Sequence, residues 1–152
     1  MNEGIRLLGT DEPLPMELLL EADPSEEMIS RYITDSRILA AEENGRMIGV
    51  CVVLAVSPEI AEIKNIAVAE RARGRGIAKS LIKEAAVYAK REKFSAIEIG
   101  TGNSSLDQLA LYQKCGFRIA AVERDFFTRH YPKPIFENGI QCRDMIRLQY
   151  KL

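Results

Sequence analysis

The chain is poor in the side chains that metal and redox sites are built from. One histidine, His130, and three cysteines, Cys51, Cys115 and Cys142, are scattered through 152 residues. That scatter has no metal-ligand spacing, so no metal is expected. An odd number of distant thiols does not make a disulfide framework. Cys51 and Cys115 stand in apolar context and read as buried thiols, which fits a reducing, cytoplasmic setting. Long hydrophobic runs are missing too. A membrane helix needs about 18 or more apolar residues, and the longest nearly uncharged stretch, 47–58, reads as a strand. No basic segment precedes an apolar run near the start, so no secretory signal is expected. Nor is there an excess of charge of one sign. Lys and Arg number 21, Asp and Glu 22, for a net charge of −1. A broad basic footprint for nucleic acid is excluded on that balance, and there is no helix-turn-helix pattern.

What is present is an ordinary globular balance, 47% hydrophobic and 28% charged. The length suits one domain over residues 1–152, able to bury about 70% of its unfolded surface. A short strand at 5–8 is followed by helical character at 14–21 and by a second helix for which Ser25 is a plausible N-cap. The period then changes. Residues 38–43, Asn44-Gly45 and 47–56 read as a β-hairpin, because Asn-Gly favours the tight two-residue turn. A strand at 60–68 completes a meander. A long helix follows over 77–92, with Ile77, Leu81, Ala85 and Tyr88 on one side. A short strand at 96–99, a bend at 100–102 and a helix capped by Asn103 or Ser104 and stopped by Gly116 come next. Residues 117–127 are a strand candidate, 129–139 a loop, and 140–148 the last strand. The strand–helix–strand unit over 60–99 should be parallel and right-handed.

Between that strand and helix lies Arg71-Ala-Arg-Gly-Arg-Gly-Ile-Ala78. Gly74 and Gly76 permit tight backbone and close approach by a ligand. Free N–H groups and the positive end of the helix dipole stand behind them. Arg71, Arg73 and Arg75 add charge. This is the physics of a phosphate or pyrophosphate cradle, although a basic turn without a ligand has the same composition. The Lys-Ser/Thr ending of a P-loop and the third glycine of a dinucleotide fingerprint are both missing.

The same run, Arg73 to Ala78, resembles the acetyl-coenzyme A signature of the GCN5-related N-acetyltransferases (GNAT), Arg/Gln-x-x-Gly-x-Gly/Ala. Asn-Ile-Ala-Val at 65–68 is also similar to that family. So is Asn103 followed by Leu111-Tyr112-Gln113-Lys114-Cys115-Gly116-Phe117. The resemblance covers residues 39–127 and is closest to bacterial members, including the ribosomal-protein N-terminal acetylating branch. It implies an α/β GNAT fold: a mixed central sheet with splayed parallel strands, flanked by helices. It implies acetyl-CoA as co-substrate. Backbone amides from Arg73, Gly74, Arg75, Gly76, Ile77 and Ala78 would hold the pyrophosphate. Ile66, Ala67 and Val68 would bind the pantetheine arm, with Asn103 helping, and Tyr112 would protonate the leaving thiolate.

Acetyl transfer needs a neutral amine and benefits from a proton donor to the thiolate. Periodicity alone reads Tyr112 as a core tyrosine at the end of a helix face. For the base, Glu62 lies on the strand entering the cofactor site, or is simply the surface residue of an alternating strand. Glu98 lies in a mostly apolar strand, where a carboxylate needs a reason. That reason is a base or a buried ion pair, and Glu98 is the preferred base. Cys115 has no nearby histidine to activate it, so direct transfer in a ternary complex is expected. The acceptor groove is expected between the early helices and the aromatic segment 125–138, with Tyr32, Phe127 and Tyr131 as contacts. Glu137 or Asp125 could hold a cationic amine there. The same aromatics could instead complete the core or pack on a twin subunit in a homodimer. The acceptor is a small amine or a peptide N-terminus. The alternative to an enzyme is a non-catalytic acyl-CoA sensor of the same fold.

Overall fold

The computed structural model describes residues 3–152. Strand β1 (Glu3–Leu7) leads to helices α1 (Met16–Ala22) and α2 (Glu26–Ile33). The Ser25 side chain accepts the Met28 N–H at 3.1 Å, the expected cap. Strands β2 (Arg37–Glu43) and β3 (Arg46–Ala55) form the hairpin. Asn44 and Gly45 both take positive φ, 52° and 78°, as this turn demands. Strand β4 (Ile60–Val68) extends the meander, and helix α3 (Ile77–Arg91) crosses to β5 (Ala96–Gly102), which lies parallel to β4. Helix α4 (Leu106–Lys114) and strand β6 (Arg118–Glu123) follow. Then come helix α5 (Phe126–His130), the hairpin β7 (Ile135–Glu137) and β8 (Ile140–Cys142), and strand β9 (Met145–Lys151).

The seven-stranded sheet runs β1-β2-β3-β4-β5-β9-β6, with β7-β8 apart. It is antiparallel except for the β4–β5 pair. Helix α3 packs Ile77, Leu81, Ile82, Ala85 and Ala89 onto one face. Gly49 of β3 makes room for it: a Cβ there would stand 3.1 Å from Leu81 and 3.2 Å from Ile77. The α1 helix lies on the other face, where the Leu19 carbonyl meets the side chain of Asn65.

Four expectations from the sequence are corrected. Gly100 to Gly102 does not bend the chain; these residues continue β5, opposite Arg147, Ile146 and Met145. Glycine is needed there for close approach. A Cβ at 100 would sit 2.6 Å from the Met145 sulfur, and one at 102 would collide with Cys142. The α4 N-cap is Ser105 rather than Asn103 or Ser104, and its side chain makes no cap bond. The strand expected over 117–127 ends at Glu123, because Asp125 turns left-handed (φ 62°) and starts α5. Residues 129–139 are not one loop. Asn138 and Gly139, at φ 56° and 73°, turn a second hairpin.

Candidate active site

The β4–β5 pairing lasts four residues, from Ile60–Ala96 to Ile63–Ile99. At that point β4 carries a bulge: Val53 faces Ile63, Val52 faces Asn65, and Lys64 is the extra residue. Beyond it, β4 stays on β3 and β5 stays on β9. The two strands fork. The edge of 64–68 that faces the fork has no strand partner among the described residues, and the Val68 carbonyl accepts from the Arg73 Nε at 3.1 Å.

The fork has two chemically different faces. Residues opposite one another, and those two apart, share a face of a sheet. Gly49 abuts α3, so Cys51 and the facing Ile66 and Val68 lie on the α3 side. Tyr112 of α4 is there as well. It is 4% exposed, and burial pushes its hydroxyl well above the usual phenol range, with nearby Cys51 and Cys115 adding to the push. Its helix is closed as the sequence suggests: Gly116 takes φ 96°, and Phe117 N–H returns to the Tyr112 carbonyl at 3.0 Å.

The opposite face carries the carboxylates. Glu62 and Glu98 are register partners on the parallel pair, one step before the fork. Glu62 is 8% exposed and is no surface residue of an alternating strand. Its Oε2 accepts from Arg147 at 3.0 Å and Lys64 at 3.4 Å, and Arg147 also holds Glu123 at 2.7 Å. Glu98, half-buried, has no ion-pair partner among the described residues; it accepts from the neutral Gln149 amide at 2.8 Å. The two carboxylates thus exchange the environments the sequence suggested.

Asn65 was quoted from the sequence only as part of a motif. It proves central to this face. Its Nδ2 donates to the Leu19 carbonyl and to the Tyr32 hydroxyl, both at 3.0 Å. The carbonyl can only accept, so the nitrogen end is fixed and Oδ1 is the other end. That oxygen is buried without a partner among the described residues. Tyr131 neighbours Tyr32: burial pushes the Tyr131 hydroxyl up to about 12, reinforced by nearby Asp23 and Tyr32. Phe127 stacks on Tyr131 with centroids 5.7 Å apart. All three expected acceptor aromatics therefore belong to one cluster. Asp23 is a carboxylate that acts on Tyr131. Glu137 is occupied by the Ser105 and Ser104 hydroxyls at 2.8 and 3.2 Å, and Asp125 lies in the turn before α5. Lys64, Asn65 and Arg147 do not stand out in the sequence as members of this arrangement, because their partners are remote in the chain.

Asn103 is engaged within the chain. Its Oδ1 accepts the Arg143 and Asp144 N–H groups at 2.8 and 3.0 Å, and its Nδ2 donates to the Gln141 carbonyl at 3.1 Å. It fastens the end of β5 to the β8–β9 connection.

Residues 8–117 match the model of the Acetyltransferase (GNAT) family. The chain belongs to that family. A curated relative is the uncharacterised N-acetyltransferase YvbK of Bacillus subtilis (strain 168), 50% identical over 136 residues, 90% of this chain and 88% of that one. A GNAT family acetyltransferase from Elizabethkingia anophelis with acetyl-CoA bound superposes with TM-score 0.96 at 46% identity, over 99% of both chains. An IAA acetyltransferase from Bacillus cereus ATCC 14579 superposes with TM-score 0.93 at 49% identity, again over 99% of both. The ribosomal-protein-S18-alanine N-acetyltransferase of Escherichia coli, at 19% identity and TM-score 0.77 over 98% of this chain and 93% of that one, shares the fold alone. This chain is an N-acetyltransferase with acetyl-CoA as its co-substrate.

The GNAT turn fits that co-substrate. Gly74 and Gly76 take φ 80° and 77°, and a Cβ at either would meet nothing within 4 Å. The space in front of them is open. Helix α3 starts behind Gly76 with no side-chain cap, leaving first-turn N–H groups free for an anion. Two arginines of the turn point elsewhere. Arg75 forks onto Glu43 at 3.0 and 3.2 Å, and Arg73 reaches Glu21 at 3.7 Å. Between α3 and α4 a cavity of about 200 Å³ is rimmed by Lys79, Lys83 and Lys114 over Cys115, Phe117 and Tyr150. Burial raises the Cys115 thiol despite Lys79 and Lys83, which does not favour the thiolate an acyl-cysteine route needs. No described helix is long and apolar enough to cross a membrane.

Proposed function

We propose that the chain transfers the acetyl group directly to a primary amine in a ternary complex. The fork between β4 and β5, with a proton donor on one face and carboxylates on the other, carries this reading. Backbone amides of 73–78 take the pyrophosphate. The free edge at Ile66, Ala67 and Val68 takes the pantetheine arm. Lys79, Lys83 and Lys114 face the phosphate-bearing end. Asn103 serves indirectly, by holding the end of β5 in place.

The acceptor enters from the opposite side, among Tyr32, Phe127 and Tyr131. Asp23 attracts it as an ammonium, which releases one proton to bulk water to become the neutral nucleophile, and Asn65 Oδ1 receives one of the N–H bonds of that neutral amine. As the new C–N bond forms and the C–S bond breaks, the amine gives up a proton and the sulfur gains one. Glu98 takes the first, because one of its oxygens meets only a neutral amide. Glu62, already answered by Arg147 and Lys64, orients that side of the fork. Tyr112 supplies the second. Its buried hydroxyl keeps its proton until the thiolate develops.

The test is thiol release from acetyl-CoA with polyamines, amino sugars, amino acids, free-N-terminal peptides and the IAA of the neighbour's name, with product masses recorded. Thiol release matched to one N-acetylated product class supports the proposal. Thiol release at the same rate with and without every amine contradicts it.

A further inference from the structure

The sheet ends at β6, which pairs with β9 alone. Five of its six residues are exposed, Ile119 and Val122 by 55% and 50% of their surface. A bare apolar edge strand invites a second strand. Its sequence says which one. The ladder to β9 skips Ala120: Ile119 faces Leu148 and Ala121 faces Arg147. The ladder positions therefore read Arg118, Ile119, Ala121, Val122, Glu123. That order is complementary to its own reverse, with a cation opposite a carboxylate, one β-branched residue opposite another, and alanine opposite itself.

The bulge is what makes this possible. Residues five apart on a regular strand point to opposite faces. With Ala120 extruded, Arg118, Ala121 and Glu123 share one face, and Ile119 and Val122 share the other. A two-fold axis perpendicular to the sheet requires that match.

We propose that two copies of this chain pair antiparallel through β6 about a two-fold axis at Ala121. Arg118 of each protomer meets the partner's Glu123, and Ile119 meets the partner's Val122. The two sheets become one, and the exposed edges are closed by an isologous contact. The contact also reaches the candidate active site. Glu123 accepts from Arg147, and Arg147 donates to Glu62, so the partner's Arg118 joins a charge chain that ends at the fork.

Sedimentation velocity on the full chain over micromolar concentrations, with disulfide trapping of Ala121→Cys, tests this independently of any acceptor. Directly opposed antiparallel residues have Cα atoms about 4.5–5.5 Å apart, within disulfide reach. The expected result is a dimeric wild type and a covalent Ala121→Cys dimer on mild oxidation. Wild type treated alike, with its three native thiols, should give none. Val122→Lys and Arg118→Glu should each shift the protein to monomer with an unchanged circular dichroism spectrum. Arg118→Glu changes only an exposed side chain and guards against a folding defect in the other. A wild type that stays monomeric, or a dimer that resists both substitutions and yields no Ala121→Cys crosslink, overturns the proposal.

Discussion

Two buried protons stabilise the fold around the fork. Burial pushes the Cys51 thiol up to about 12, whereas an unfolded thiol ionises near about 8.5. Its contribution to stability is complete below that lower value and is lost as pH rises through the folded one. Tyr112, also shifted upward, acts in the same sense from about pH 10. Thermal melts between about pH 7 and 11 should therefore hold steady and then fall on the alkaline side, less steeply in Cys51→Val. Among the carboxylates, Glu98→Gln should lower kcat by about 100-fold or more. Glu62→Gln should show a smaller loss, since its partner Arg147 still has Glu123. Equal losses of kcat in the two variants would remove the distinction between base and orienting group. None of these roles is written in periodicity. Glu62 alternates like a surface residue, and the partner that makes it otherwise lies 85 positions away.

Elements record both how much the sequence declares and where it misleads. Asn44-Gly45 announces its hairpin because flanking strands alternate cleanly around it. Asn138-Gly139 makes the same turn with the same signs of φ, but Pro132, Pro134 and a run of aromatics disguise it as loop. Glycine has two uses, and only one was legible. At 74 and 76 it supplies left-handed backbone beside open space. At 100 and 102 it admits Met145 and Cys142 against an extended strand, which no local pattern distinguishes from a turn. The two uses predict different failures. Gly74→Ala or Gly76→Ala should cost about 1–2 kcal/mol from backbone strain and raise the KM for acetyl-CoA. Gly100→Ala should lower Tm without a specific effect on acetyl-CoA affinity, because the neighbour it meets is the Met145 side chain. Calorimetric titration of acetyl-CoA alongside melting curves separates the two cases.

In the whole molecule a buried tyrosine, the proposed proton donor, and a carboxylate, the proposed acceptor, lie on opposite sides of one gap in a sheet. The order of elements as far as α4, the parallel crossover and the Gly-rich turn were legible because each follows from local residues and chain connectivity. The fork was reached through family resemblance, since a bulge at Lys64 leaves no mark in composition. The proposed acceptor cluster assembles from three distant segments, at 23–32, 64–65 and 127–131, which no local pattern joins. Such an arrangement requires both substrates at once. Initial rates with acetyl-CoA and an amine varied together should give intersecting double-reciprocal lines, whereas parallel lines would indicate an acyl-enzyme. The most direct test of the fork is Tyr112→Phe, followed by single-turnover thiol release with acetyl-CoA binding measured on the same preparation. The account predicts unchanged binding and a rate lower by about 100-fold or more. An unchanged rate would contradict it.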